Sequence, residues 1–342
     1  MIFAFSILLM MGAFGSPLLA AGPARTSSMS SNSHGLLLVD NKGNHTISIV
    51  DPSTATQVAT VKETGVTGHE IIASPDGRTA YVPIYGNSGV GRPGTDGRTI
   101  DVIDIASRRV TSTIDLGRPM RPHCAKFGPK DGMLYVTTEL AEAVTVIDPK
   151  NNKIVGSIPT GQRESHMLTI SHDGRRGYTA NVGPGTVSAL DMVNRKTLAV
   201  IPISKETQRI SISMDDRYVF TSDQTSPRLA VIDTASNKVT HWVDMPGIGY
   251  GTAPTPDGRY LLVAVINKNK VAVIDLKSWK VVRSIDVPAA PQEVLVRPGG
   301  HVAYVSCDHS QKVAAINLAT WKVDHLISTG PVTDGLAWAV AR

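Results

Sequence analysis

A tripeptide of the form Val-Ile-Asp returns seven times along this 342-residue chain, and its spacing restricts the fold more than any other feature. The copies close at Asp51, Asp104, Asp148, Asp191, Asp233, Asp275 and Asn317, and the gaps between them are 53, 44, 43, 42, 42 and 42 residues. The fullest unit runs from Asp131 to Asp148: a stretch ending Tyr-Val-Thr-Thr, a short polar loop, then Val-Thr-Val-Ile-Asp. A period of ~40–45 residues with strand-like content predicts a β-propeller, one four-stranded blade per repeat. Runs such as Val144–Ile147, Val271–Ile274 and Val281–Ile285 alternate in the manner of strands, and helical periodicity is absent.

Each innermost strand is expected to precede a tight Asp-Gly-type turn, as at Ser74–Arg78, Pro129–Gly132, His172–Arg175, Met214–Arg217, Pro256–Arg259 and Pro298–Gly300. Glycine takes positive φ there at no steric cost, which suits a two-residue hairpin. Six inner strands result. A seventh, Gly335–Val340, has no blade after it, and the segments Gly35–Asp40, Thr46–Asp51 and Gln57–Val61 supply what it lacks. The sequence therefore predicts an all-β, seven-bladed propeller over residues 35–342, its last blade closed by N- and C-terminal strands. Closure of this kind removes the exposed edges that invite aggregation.

Ahead of the propeller, residues 1–21 are apolar and carry no charged side chain, which reads as a secretory signal peptide. An uncleaved anchor is the rival, since the run just reaches ~20 residues; Pro17 and the small residues around Ala20, Ala21 and Ala24 favour cleavage. Residues 22–34, rich in Ser, Ala and Pro, read as a disordered lead-in. The expected product is periplasmic or secreted, monomeric, and free of any further membrane helix. Cys124 and Cys307 fall four repeats apart, too far for a disulfide, so the fold is expected to stand without one. A net charge of +5 and a pI near 9.1 permit attraction to anionic surfaces without arguing for it.

The repeat resembles the YVTN-repeat β-propellers, the group that includes YncE-like periplasmic proteins. The residues that carry the likeness are Tyr135–Thr138, Tyr178–Asn181, Tyr304–Cys307 and the Ser-Pro-Asp-Gly-Arg turn at 74–78. The Gly-x-x-x-x-Pro approach to an inner strand is present at Gly117–Pro122 and lost at Gly161–Ser165. The resemblance implies the fold over residues 35–342. It leaves function open, because the architecture hosts binding proteins, lactonases, lyases and electron-transfer subunits.

Chemistry is expected on the face whose loops vary: those leading into the inner strands and those joining second to third strands. Aligning the blades on the Asp-Gly turn places His69, His123, His166, Gln208, Tyr250, Gln292 and Asp334 or Gly335 at the mouths of the seven inner strands. Three histidines in one position of consecutive blades suit a transition metal (Zn, Cu, Mn or Fe), and three ligands with an open position would make a catalytic site. Glu70 could then serve as general base or fourth ligand. The plainer alternative is three imidazoles bonded to backbone and lining a wet channel. Cys124 and Met167, next to two of the histidines, are expected to pack in the core.

Arg121, Arg163 and Arg209, with Gln208, Tyr250 and Gln292, are candidates to bind a small anionic or carboxylate-bearing ligand. They belong to a wider polar set including Arg118, Lys205, Glu139, Asn181, Asp223, Asn267, Asp308 and His309, for which a solvated rim is the simpler account. The insertion Gly86–Arg98 holds five glycines and one proline; its Gly-x-Gly has no helix behind it to present a phosphate, so a mobile flap over the mouth is expected. Two functions remain: a metal-dependent enzyme of lactonase or lyase type, and a non-catalytic binding or scaffold protein for a small anion or a protein partner. Nucleic-acid binding ranks last, since 5% aromatic content offers few stacking platforms.

Overall fold

The computed structural model describes Met1 and residues 34–341. The signal-peptide and lead-in readings, but for Met1 and His34, lie outside those residues. Seven antiparallel sheets of four strands each form a seven-bladed propeller. Blade one is built on Ile72–Ala73, Thr79–Pro83, Thr99–Asp104 and Arg109–Asp115. Five further blades follow the same inner-to-outer order, and blade seven combines Thr333–Val340 with Gly35–Asn41, Thr46–Asp51 and Thr56–Lys62. The closure is in register, with Leu37 opposite Trp338 and Val39 opposite Leu336.

The repeat can be read as physical chemistry. Third strands such as Ala143–Asp148 are covered on both faces by neighbouring blades and are almost wholly apolar. Outermost strands such as Lys153–Pro159 bury little except Ile158. The closing Asp recurs because its carboxylate accepts the turn's own backbone N–H: Ser53 N to Asp51 at 2.8 Å, Lys150 N to Asp148 at 2.9 Å, Lys277 N to Asp275 at 3.0 Å. Asn317 does the same for Ala319 N at 2.9 Å.

The Asp-Gly turns are wider than the two-residue hairpins expected. Ser74 N bonds Thr79 O at 2.7 Å and Gly77 N bonds Ser74 O at 2.8 Å, leaving Pro75–Arg78 as the loop. A hydroxyl–carboxylate clasp holds the wider form, Ser74 Oγ to Asp76 Oδ1 at 2.6 Å, repeated in Ser171–Asp173 and Ser213–Asp215 at 2.6 Å. Cys124 and Cys307 are free and buried, and Cys124 and Met167 pack in one apolar cluster between blades, as expected.

One irregularity positions everything that follows. At the mouth of each inner strand the pairing slips by one residue: Pro122 faces Thr138 but Ala125 faces Val136, and the same slip recurs in the inner strands that begin at Ser165, Thr207, Gly249, Pro291 and Thr333. In blade one Gly68 bridges Ile84 while Ile72 faces Tyr81. Seven β-bulges thus ring the channel mouth. A bulge breaks strict alternation and re-aims side chains.

Candidate functional site

The bulges bring the three aligned histidines together. The His123 and His166 rings lie 3.5 Å apart between centroids with planes tilted by 31°, and His69 meets His123 edge-on at 5.4 Å. Tyr85, from the start of the blade-one insertion, packs on His69 at 4.6 Å and against His123 at 5.2 Å. His123 and His166 are each only 2% exposed, whereas His69 is half-buried. Burial, reinforced by the neighbouring imidazoles, pushes His123 well below the usual histidine range; burial and Lys42 bring His69 down to about 3. Both rings are therefore neutral at pH 7, and His123 Nδ1 has no hydrogen-bond partner.

Glu139 is buried at this cluster rather than on a solvated rim. It opens the short turn Glu139–Ala141, accepts the Tyr85 hydroxyl on Oε2 at 2.8 Å, and bonds His166 Nδ1 through Oε1. On the other side of the ring, His166 Nε2 faces the Gln208 amide nitrogen at 3.2 Å. Burial and the adjacent Glu139 carboxylate raise the Tyr85 hydroxyl, which stays protonated.

Arg209 occupies the second bulge position of blade four and spans the channel. Its Nη1 lies 2.6 Å from Glu70 of blade one and its Nη2 2.7 Å from Asp334 of blade seven, with Glu293 of blade six 3.9 Å away. The guanidinium sits 5.2 Å from the Tyr250 ring of blade five. Lys42 pairs with the other Asp334 oxygen at 2.8 Å. Burial works to raise the Asp334 carboxyl, but Lys42 and Arg209 overturn it and hold it below the usual carboxylate range. Burial pushes Glu70 up despite Arg209. Beyond the plug the channel opens into a cavity of about 250 Å³ beside Lys126, Thr169, Ser211 and Glu293.

These contacts revise several expected roles. Glu70 does not stand as a base or fourth ligand beside the histidines, because its carboxyl is taken up by Arg209 on the far side of the bulge. Arg209 is committed to carboxylates of the protein and is not a free anion receptor. Arg121 sends Nε to Asp96 at 2.6 Å and Nη2 to Arg92 O at 2.7 Å, so it clamps the insertion. That loop is tied along its length, through the Gly86–Asp96 bridge and Gly97 N to Tyr85 O at 2.7 Å, where a mobile flap was expected. Arg163 is exposed. Gln208 and Tyr250 stay at the mouth, half-buried, and Gln292 donates to Asp308 at 3.1 Å.

A further pair of carboxyls lies behind His69. Asp40 is fully buried and meets the Glu63 carboxyl beside Gly68, and no other group donates to either Asp40 oxygen. Burial raises both, Asp40 well above its usual value and Glu63 to about 7, so the pair holds a proton. Among the described residues no group of three or more His, Cys, Asp or Glu side chains stands as a preformed metal cage.

A family described as the cytochrome D1 heme domain matches residues 128–248, about a third of the chain. Among solved structures, a functionally unknown protein from Desulfotomaculum acetoxidans DSM 771 superimposes with a TM-score of 0.74 at 13% identity, over 90% of this chain and 100% of that one. Hydrazine synthase of Kuenenia stuttgartiensis aligns with a TM-score of 0.50 at 18% identity, over 75% of this chain and 97% of that one. At such identities the likeness shows the propeller fold alone. Among curated proteins none matches the chain.

Proposed function

We propose that this is an exported, monomeric propeller akin to the YVTN-repeat group, whose three-histidine mouth takes one transition-metal ion (Zn, Cu, Mn or Fe). The observation that carries the reading is the imidazole cluster itself: three rings in contact, His123 Nδ1 without a partner, and His166 anchored by a carboxylate. Neutral imidazole suits these metals, and a carboxylate behind a ligating histidine is their usual support. His69, His123 and His166 would hold the ion, which when bound would polarise a carbonyl or activate water, as in a lactonase or lyase. The chain's own share is to keep two rings unprotonated, to fix the third, and to offer Gln208 and Tyr250 to a ligand.

The cytochrome D1 description raises a haem. The cup does not fit one, since His166 Nε2 is covered by Gln208, the faces of His123 and His166 cover each other, and Arg209 crosses the channel. A metal-free binding cup for a small ligand or protein partner is the second reading, and the close, tilted ring contact of His123 with His166 favours it.

Elemental analysis and calorimetric titration with Zn, Cu, Mn and Fe separate the two, run beside a His69→Ala/His123→Ala/His166→Ala variant. About one equivalent in the parent and none in the variant supports the metal site and justifies a screen of lactones and esters. No uptake by either leaves the binding cup.

A further inference from the structure

Four consecutive blades contribute to one hydrogen-bonded line around the mouth. Tyr85 of blade one donates to Glu139 of blade two; Glu139 meets Nδ1 of His166 in blade three; Gln208 of blade four faces Nε2 of the same ring. A carboxylate offers only acceptors, so the ring nitrogen against it must carry hydrogen. The Gln208 amide nitrogen offers only donors, so the nitrogen against it must accept.

From this line we infer that Glu139 is a positioning residue: it keeps the His166 proton on Nδ1 and leaves Nε2 as the acceptor, its lone pair held by the Gln208 amide until Gln208 moves aside for a ligand. Tyr85 secures the carboxylate from behind, and the turn at Glu139–Ala141 fixes its backbone, with Glu139 N donating to Arg121 O at 3.3 Å. Placed on a rigid turn with both oxygens engaged, the carboxylate cannot swing to accept from Nε2 instead. The inference rests on the three-histidine reading only for what the presented nitrogen binds; the tautomer stands without any metal.

The test is nitrogen NMR of the His166 ring in 15N-labelled, metal-free protein, assigned by the signals lost in His166→Ala. A pyrrole-type Nδ1 and a pyridine-type Nε2 are expected in the parent and in Tyr85→Phe. In Glu139→Gln the tautomers should mix, and Zn or Co affinity should fall by about 10–100-fold, the usual effect of losing such support. A proton on Nε2, or on both nitrogens, in the parent overturns the inference, as does a Glu139→Gln protein with unchanged tautomer. If Glu139→Gln does not fold, the parent spectrum decides alone. Absence of metal binding with the Nδ1–H tautomer intact would retire the metal reading and leave the positioning role standing.

Discussion

Arg209 and Asp334 are 125 residues apart in sequence, yet their side chains meet at 2.7 Å across the propeller's channel, joining blade four to blade seven. Glu70, on the neighbouring blade, takes the other arm of the guanidinium. Removing Arg209 leaves Glu70 buried without its cation and Asp334 with Lys42 alone, a loss that typically costs about 3–5 kcal/mol. Arg209→Ala is expected to lower Tm sharply, and adding Asp334→Asn and Glu70→Gln to restore part of it. A Tm for Arg209→Ala equal to the parent's would show that the plug carries no stability.

The Asp40–Glu63 pair should make stability depend on pH. Both carboxyls bind protons more tightly folded than unfolded, where a carboxyl titrates near ~4. The contribution is therefore fully present below about pH 4 and is lost as pH rises through the Glu63 value of about 7. Urea midpoints of the parent should fall relative to those of Asp40→Asn between pH 5 and pH 8. Parallel curves would contradict the shared proton.

Arg121→Ala should release the insertion at 86–98. It loses two charge-assisted bonds, each worth ~1.5–3 kcal/mol, so local opening should rise at least roughly tenfold. Limited thermolysin digestion reads this directly as faster cleavage before Val90, with overall Tm changed less than the cleavage rate.

Gly335 has no room for a side chain. A Cβ there would lie 2.7 Å from His69 O and from Glu70 Cα, the backbone of the adjoining bulge. Gly335→Ala is expected to cost about 1–3 kcal/mol by overpacking. It should also disturb the His69 ring signals in NMR, whereas the exposed Gly117→Ala should leave those signals in place.

The blades, their number and the shared seventh blade were legible because a closing Asp that caps its own turn leaves a fixed period in the sequence. The alignment of His69, His123 and His166 was legible for the same reason. What lay beyond reach was register. A one-residue slip leaves no mark in composition, yet it decides that Arg209 crosses the channel and that Glu70 turns to it instead of to the histidines. Glu139 looked like any loop carboxylate; its role depends on Tyr85, 54 residues earlier, and His166, 27 residues later. The insertion's glycines suggested freedom, but Arg121 in the next blade removes it.

The seventh blade also sets an order of events. Gly35–Asn41 is the first described strand to be synthesised and waits for Thr333–Val340, the last, before either sheet edge is satisfied. Until then the blade edges on either side of the gap stay open, and bringing the ends together is a long-range closure of the kind that folds slowly. The same latch slows departure, since opening the ring means unzipping both ends at once. For this protein the passage between an aggregation-prone arc and a durable ring depends on eight residues at the end of the described chain.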